Sequence, residues 1–126
     1  IERNLTMSIS INELIAKREE INARKAQKLT IETSIGEVVA KKPSNSLMAE
    51  ALGLDGNNDE YIIYNCLLEP NLKDKELQQA YECVEPMDIV GKVFEFGEIK
   101  AISDVLIKSV GVGQKLEHAI FDEAKK

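Results

Sequence analysis

The chain has 126 residues, of which 22 are acidic and 16 are basic, so its net charge at neutral pH is −6. Its length suits one folded domain, and its 44% of hydrophobic residues argue against disorder. The acidic balance disfavours a nucleic-acid-binding protein, because affinity for phosphate chains depends on Lys and Arg. No apolar run approaches the roughly 18 residues of a membrane span, so none is predicted.

The charge is unevenly distributed along the chain. Residues 1–42 contain eight basic and six acidic side chains, a net charge of +2, whereas residues 43–126 contain eight basic and 16 acidic side chains, a net charge of −8. We interpret the chain as a single domain, 1–126, with three regions. These are an N-terminal helical arm (1–28), a β-hairpin (29–42) and a helical body (43–126).

The first periodic segment predicts a helix from Ser10 to Ala26. Ser10 and Glu13 have the spacing of a capping box, in which each side chain accepts a hydrogen bond from the other residue's backbone. Apolar residues at helical spacing then form a narrow stripe that Arg18 interrupts. Such a stripe can pack on its own domain, on a second copy or on a partner.

Two segments with period-two alternation follow, and they predict strands over Leu29–Ser34 and Glu37–Lys41. Ile35-Gly36 lies between them, which favours a short hairpin. Because two strands alone are marginally stable in water, we expect them to lean on the helices or to extend a sheet of another chain. The arm and the hairpin therefore predict an oligomer contact through Ile11, Leu14, Ile15, Ile21, Leu29 and Ile31.

The first two helices of the body are predicted from their caps. Ser44 or Asn45 caps a helix that runs through Leu52, and Gly53 suits a left-handed C-terminal position. Asn57 and Glu60 repeat the capping-box spacing. They predict a second helix, stopped by Pro70, with Ile62, Ile63, Cys66 and Leu67 on its apolar side.

Capping residues and helix-breaking residues divide the rest of the body into four predicted helices. Asp74 predicts the N-cap of a helix whose inner face includes Tyr81 and Val84. Pro86 suits the first position of the next helix, and Gly97 predicts its end. The last two predicted helices are Glu98–Ser109, ended by Gly111, and Gln114–Lys126.

Together these elements predict an α+β fold that is predominantly α-helical. An N-terminal helix and a short β-hairpin are followed by a compact bundle of about five or six short helices. The 34 Ile, Leu and Val residues, against six Phe and Tyr, suit packed helices of this kind.

Few residues indicate a metal-binding or catalytic site. Asp55, Asn57 and Asp59 alternate as in a calcium loop, but an EF-hand loop needs Gly at its sixth position and an acid at its twelfth. Those positions are Glu60 and Cys66, so an ordinary turn explains the pattern.

The remaining candidates for catalysis are also weak. The single histidine, His118, lies in a predicted helix without a nucleophile in a recognisable pattern. Cys66 and Cys83 are 17 residues apart and lack a CxxC pattern, so we expect free thiols. The sequence therefore predicts a non-enzyme that needs no cofactor and no metal.

A family resemblance begins at about Tyr64. The residues that carry it fall in one order and spacing: Glu69-Pro70-Asn71-Leu72, Glu76-Leu77-Gln78, Tyr81, Glu85-Pro86-Met87-Asp88-Ile89-Val90, Phe94 and Gly97-Glu98. This pattern resembles the XkdN-like tail assembly chaperones of phages and prophages. The likeness extends more loosely from Ser8 to Gly111, and Phe96 departs from it where we expect Pro.

The resemblance implies a role in building a phage tail. It implies a protein that acts in the host bacterial cytoplasm, binds the long helical tape measure protein, helps to recruit tail-tube subunits and is absent from the mature virion. The alternative is a structural virion protein, such as a tail-completion or connector adaptor.

For this role the sequence suggests a groove between two body helices. An amphipathic helix of the partner would place its apolar face there, and the acidic body would favour basic stretches of the partner. The proposed partner-binding residues are Ile62, Ile63, Leu67, Ile99, Ile102 and Leu106.

Overall fold

The structure is a computed structural model, and it describes residues 8–111. In this part of the chain, seven helices and three strands form an α+β fold that is predominantly helical, which confirms the predicted fold class. The predicted helix Gln114–Lys126 lies outside the described residues. In chain order the elements are α1 (Ile11–Ala16), α2 (Arg18–Lys25), β1 (Lys28–Thr33), β2 (Gly36–Lys41), α3 (Asn45–Leu52), α4 (Asn58–Cys66), β3 (Leu67–Glu69), α5 (Lys75–Ala80), α6 (Asp88–Val93) and α7 (Phe96–Ser109).

Helices α1 and α2 lie in the arm, where the sequence predicts one helix from Ser10 to Ala26. The capping box is confirmed, because Ser10 Oγ accepts from the Glu13 N–H at 3.1 Å and Glu13 Oε1 accepts from the Ser10 N–H at 2.7 Å. The prediction of one unbroken helix is wrong, because the ψ of Lys17 is 2°, which departs from α-helical geometry. The Lys17 N–H still donates to Glu13 O at 3.1 Å, so the two short helices remain joined.

The two predicted strands are confirmed with slightly shifted limits. They pair antiparallel, from Lys28 opposite Lys41 to Thr33 opposite Gly36. Gly36 has a φ of 118°, a conformation that suits glycine because a side chain would be strained there. The Thr33 hydroxyl donates to Gly36 O at 2.7 Å and accepts from the Ile35 N–H at 3.2 Å, which closes the turn.

A third strand, which the sequence does not predict, completes the sheet. The predicted helix that Pro70 would stop ends at Cys66 instead, and β3 pairs antiparallel with β2. Leu67 already has extended backbone, with φ −69° and ψ 128°. Pairing satisfies backbone groups along the edge of β2 that would otherwise face solvent. The hairpin is therefore extended by its own chain, in the order β1-β2-β3.

The caps of α3 and α4 follow the prediction in part. Ser44 Oγ accepts from the Leu47 N–H at 3.1 Å, as expected of an N-cap. Gly53 is right-handed, with φ −83°, so its predicted left-handed conformation is wrong. Asn57 does begin α4, but its φ is 58° and its side chain makes no capping bond. A side-chain cap needs extended backbone, so the predicted capping box with Glu60 does not form.

Helix α5 is shorter than the sequence suggests. Asp74 caps it as predicted, since its Oδ1 accepts from the Leu77 N–H at 2.9 Å. The helix ends at Ala80, so Tyr81 and Val84 lie beyond it and are exposed. Their predicted place on an inner helix face is therefore wrong.

Helix α6 begins at Asp88, two residues after the predicted start at Pro86. The Asp88 Oδ2 accepts from the Val84 N–H at 3.2 Å and from the Glu85 N–H at 2.9 Å. This carboxylate fixes the turn that precedes the helix. The turn therefore contains Pro86, and the helix starts only once the turn is complete.

The break before α7 lies at Phe94, whose φ of −117° and ψ of 146° are extended. Gly97, predicted as the breaking residue, lies in the first turn of α7 instead. At the other end Gly111 follows the helix with φ 93°, and its N–H donates to Lys108 O at 3.0 Å. Gly111 therefore ends the helix as predicted, because its left-handed backbone is the usual stop.

The core lies between one side of the sheet and the body helices. Its buried side chains are aliphatic apart from one cysteine and one phenylalanine, and they pack as one cluster. The members are Val38, Ala40, Ala51, Ile62, Ile63, Cys66, Leu67, Leu72, Ile89, Val90, Phe94, Ile99, Ile102 and Leu106.

Candidate interaction surfaces

The six residues proposed as a partner groove all lie in the core. Each is no more than 5% exposed: Ile62, Ile63, Leu67, Ile99, Ile102 and Leu106. Residues of α4 and α7 fill the space between those helices from within the molecule. A partner helix would reach these side chains only if the core opened.

Polar contacts fix α4 against α7. Asp59, in the first turn of α4, accepts from Ser103 Oγ at 2.7 Å, and its other oxygen lies 2.6 Å from Lys100 Nζ. Burial opposes ionisation of Asp59, but the hydrogen bonds from Lys100 and Ser103 outweigh it, so the pKa of Asp59 is lowered. Both oxygens of this carboxylate thus have protein partners, which accounts for one acid of the calcium-like string.

A second polar contact, which sequence reasoning missed, joins the hairpin to α7. The Glu98 carboxylate accepts from the Ser34 N–H and from the Ser34 hydroxyl, each at 2.6 Å. Residues 34 and 98 are distant in sequence, so spacing gives no signal of the pair. The family pattern does include Gly97-Glu98, and the structure gives that acid a role in holding the turn of the hairpin.

A groove of about 340 Å³ lies between the starts of α4 and α6. The Val84 N–H donates to the carboxylate of Asp88, one of the residues that line the groove, and the Val84 side chain is 89% exposed. An exposed aliphatic side chain beside carboxylates suits the apolar face of a basic helix. The groove is lined by Asn57, Glu60, Met87, Asp88, Gly91 and Lys92.

The body as a whole carries a negative charge, while the groove itself is lined by Glu60, Asp88 and Lys92. Residues 43–111 contain 13 acidic and five basic side chains, a net charge of −8, whereas residues 8–42 contain five acidic and seven basic side chains, a net charge of +2. Opposite charge of this size raises association rates and selects partners.

A larger cleft of about 680 Å³ separates the arm from the body. Three cations, Arg24, Lys25 and Lys42, contribute to its lining, together with Pro43 and the end of α7. Lys42 Nζ also donates to Arg24 O at 2.9 Å, which ties the arm to the strand that leads into the body. The root of the arm is therefore basic.

The predicted oligomer residues divide into two groups. On the arm, Ile11 is 78% exposed, Leu14 51% and Ile15 54%, and neither α1 nor α2 contains a buried residue. Ile21 is half-buried. The two strand residues, Leu29 and Ile31, are half-buried and pack against the core of their own chain. The arm therefore retains an exposed apolar stripe, whereas the hairpin is largely covered.

Groups suited to catalysis are sparse among the described residues. Burial raises the pKa of Cys66 to about 11, so its thiol stays protonated at neutral pH and is a poor nucleophile. Cys66 and Cys83 are both free, as predicted, and His118 lies outside the described residues. Residues 8–111 contain no group of three or more His, Cys, Asp or Glu that could hold a metal ion.

No helix between residues 8 and 111 is both long and apolar enough to cross a membrane.

The family of the chain follows from its comparison with known proteins. Curated proteins and solved structures gave no match. The family model of the phage XkdN-like tail assembly chaperone protein matches residues 12–125, which is nearly the whole chain and includes the arm, the sheet and the body. The chain therefore belongs to the XkdN-like family of phage tail assembly chaperones.

Proposed function

We propose that this chaperone binds the tape measure protein of its phage and helps to recruit tail-tube subunits to it during tail assembly. The client contact we propose is the exposed Val84 and the neighbouring groove between α4 and α6. The observation that carries this proposal is an almost fully exposed valine in a region, residues 43–111, whose net charge is −8.

The chemistry of the client explains why such a surface is useful. A long amphipathic helix exposes an apolar stripe, and exposed apolar stripes associate nonspecifically unless they are covered. A chaperone that offers an apolar contact surrounded by carboxylates covers the stripe and selects a stretch with basic neighbours. It keeps the client soluble until tail-tube subunits arrive.

The same proposal sets the place and the duration of the action. The protein works without enzymatic activity in the cytoplasm of the host bacterium while tails are built. It leaves when the tube is complete and is absent from the mature virion. A tail-completion or connector adaptor, in contrast, would remain in the particle.

A pull-down tests the client contact. The full chain is the bait, and it is expressed together with the tape measure and tail-tube proteins of the same phage. We expect retention of the tape measure protein by the wild type and a loss of about tenfold for Val84→Lys, because removal of a valine contact and repulsion of a basic client together exceed about 1.4 kcal/mol.

The matched control is Val105→Lys, which changes an exposed valine on α7 and is expected to retain the client fully. Retention of neither tail protein by the wild type, at low or moderate salt, would overturn the proposal. Equal retention by both variants would overturn the assignment of the surface. Mass spectrometry of purified particles gives a separate test, since abundant chaperone in the virion would favour the adaptor.

A further inference from the structure

The sheet ends on one side in an edge strand of six residues. Strand β1 pairs with β2 alone, because the strand order within residues 8–111 is β1-β2-β3. The other edge strand, β3, has only three residues. A long unpaired edge presents a row of backbone N–H and C=O groups that can pair with a further strand. The outer edge of β1 is therefore the part of the sheet most open to another chain.

The register of the hairpin shows which backbone groups of β1 face outward. Thr33 lies opposite Gly36 across a two-residue turn, and the pair that closes such a turn is hydrogen-bonded. Hydrogen-bonded and non-hydrogen-bonded pairs alternate along antiparallel strands, so Leu29 and Ile31 also direct their backbone groups toward β2. The outward groups belong to the alternate residues, whose side chains are exposed: Lys28, Thr30 and Glu32.

The charges on the exposed face of the hairpin are unfavourably paired. Lys28 lies opposite Lys41, and Glu32 lies opposite Glu37. All four side chains are exposed, and like charges directly opposite each other destabilise a sheet. A further strand on the outer edge would offset both repulsions if it placed an acidic side chain beside Lys28 and a basic one beside Glu32.

Strand β1 of a second copy meets this requirement. We propose that β1 of one copy pairs antiparallel with β1 of another, about a two-fold axis at Thr30. Lys28 of each copy then lies opposite Glu32 of the other, so two pairs of opposite charge form across the contact. The same register pairs the outward backbone groups of all three exposed residues. An axis at Leu29 or Ile31 would instead place Thr30 opposite a charged residue and break both charge pairs.

The contact joins the same patch on both copies, so it closes as a two-fold dimer. The two three-stranded sheets become one continuous sheet, in the order β3-β2-β1-β1-β2-β3. On the core side of the sheet, Leu29 of one copy lies opposite Ile31 of the other, and both side chains are only half-buried in the single chain. The dimer therefore adds an apolar contact there. Because one short strand edge is a small interface, we expect dimerisation to depend on protein concentration.

Two charge reversals test this register without any client. In a dimer of the variant, Lys28→Glu places acid opposite acid and Glu32→Lys places base opposite base. Within its own hairpin, each change replaces a like-charge pair by an opposite pair, with Lys41 or with Glu37. Each variant is therefore expected to fold like the wild type, which circular dichroism checks. Analytical ultracentrifugation of each variant, and of their equimolar mixture, is carried out at increasing protein concentration.

We expect the wild type to dimerise and each variant alone to dimerise at least about tenfold more weakly, because two attractive pairs become repulsive. The mixture should regain dimers of nearly wild-type strength, since each variant supplies the charges that the other lacks. The matched controls are Lys41→Glu and Glu37→Lys, which make the same charge changes on β2, away from the outer edge. Both controls should dimerise like the wild type.

Three results would overturn the proposal: a wild type that stays monomeric up to about 1 mM, single variants that dimerise as tightly as the wild type, or a mixture that dimerises no better than its components. The second result would place the contact on another surface, such as the arm. The experiment contains no tape measure protein, so its outcome is independent of the pull-down and the two proposals fail separately.

Discussion

The arm and the body place the same types of side chain in opposite environments. Ile11, Leu14 and Ile15 lie on the arm at helical spacing and are more than half exposed, whereas Ile62 and Ile63 on α4 are buried. Both stripes look alike in sequence. Helical periodicity therefore identifies an apolar face without telling whether that face belongs to the core or to an interface.

The physical difference is what lies opposite each stripe. The face of α4 meets α7, α3 and α6, and polar contacts from Asp59 hold α4 to α7. The arm has two helices of six and eight residues that contain no buried residue, and its contacts with the rest of the chain are slight: Ile21 is half-buried, and Lys42 donates to Arg24 O. Helices this short are marginal in water, so the arm gains from its capping box.

Truncation of one isoleucine in each region should show the contrast most strongly. Ile63→Ala removes a fully buried side chain, and we expect it to lower the free energy of unfolding by about 2–5 kcal/mol. Ile11→Ala, the matched change on the arm, should alter it by less than about 0.5 kcal/mol. Urea unfolding of dilute protein measures both, and equal losses would contradict the separation of arm and body.

Loss of the Asp59 contacts should have the next largest effect. Asp59→Ala leaves the buried Ser103 hydroxyl without its acceptor, which should cost about 1–3 kcal/mol. Asp104→Ala removes only a surface ion pair with Lys108 and should cost between about 0 and 1 kcal/mol. If the two variants unfold at the same urea concentration, the Asp59 contacts do not support the body as described.

Removal of each of the two serine caps should distinguish a local loss of helix from a loss of global stability. Ser44→Ala removes the cap of α3, and we expect a loss of about 1 kcal/mol in global unfolding. Ser10→Ala removes the equivalent cap on the arm, and it should reduce helix content while leaving global unfolding unchanged. Far-ultraviolet circular dichroism and urea unfolding distinguish these results. A lower free energy of global unfolding for Ser10→Ala would mean that the arm unfolds together with the body.

The smallest expected effect is a pH dependence within the body. The pKa of Asp59 is lowered from its usual 3.8, so its ionised form stabilises the fold above that pH, and the contribution is lost as the pH falls through the lower folded value. The difference in unfolding free energy between the wild type and Asp59→Asn should therefore be constant near neutral pH and shrink in acid. A difference that grows in acid would contradict the direction of the pKa shift.

Local features of the chain were predictable because they depend on near neighbours. The capping box at Ser10, the caps at Ser44 and Asp74, the hairpin and the stop at Gly111 all follow from residues within a few positions of each other. Other local predictions, such as the left-handed Gly53 and the capping box at Asn57, are wrong, and distant contacts account for a further error. Strand β3 was predicted as helix because its partner, β2, is far away in sequence.

Apolar spacing alone does not locate a partner surface. The six residues proposed for the partner groove are Ile and Leu, which are among the residue types most often buried in a core, and all six are buried here. Val84 was assigned to a helix that ends four residues earlier, at Ala80. A single valine in a turn carries no periodic signal, so its exposure could not be inferred from spacing.

The sequence by itself determined the mainly helical character, the hairpin and the division into a mildly basic front and an acidic body, because composition and local spacing suffice for these. The family also came from the sequence, but through its resemblance to known proteins. Only the tertiary structure decided which apolar stripe is core and which is surface. That choice depends on the elements that fold against each stripe: α7, α3 and α6 cover the face of α4, while within residues 8–111 Ile11, Leu14 and Ile15 of the arm stay more than half exposed.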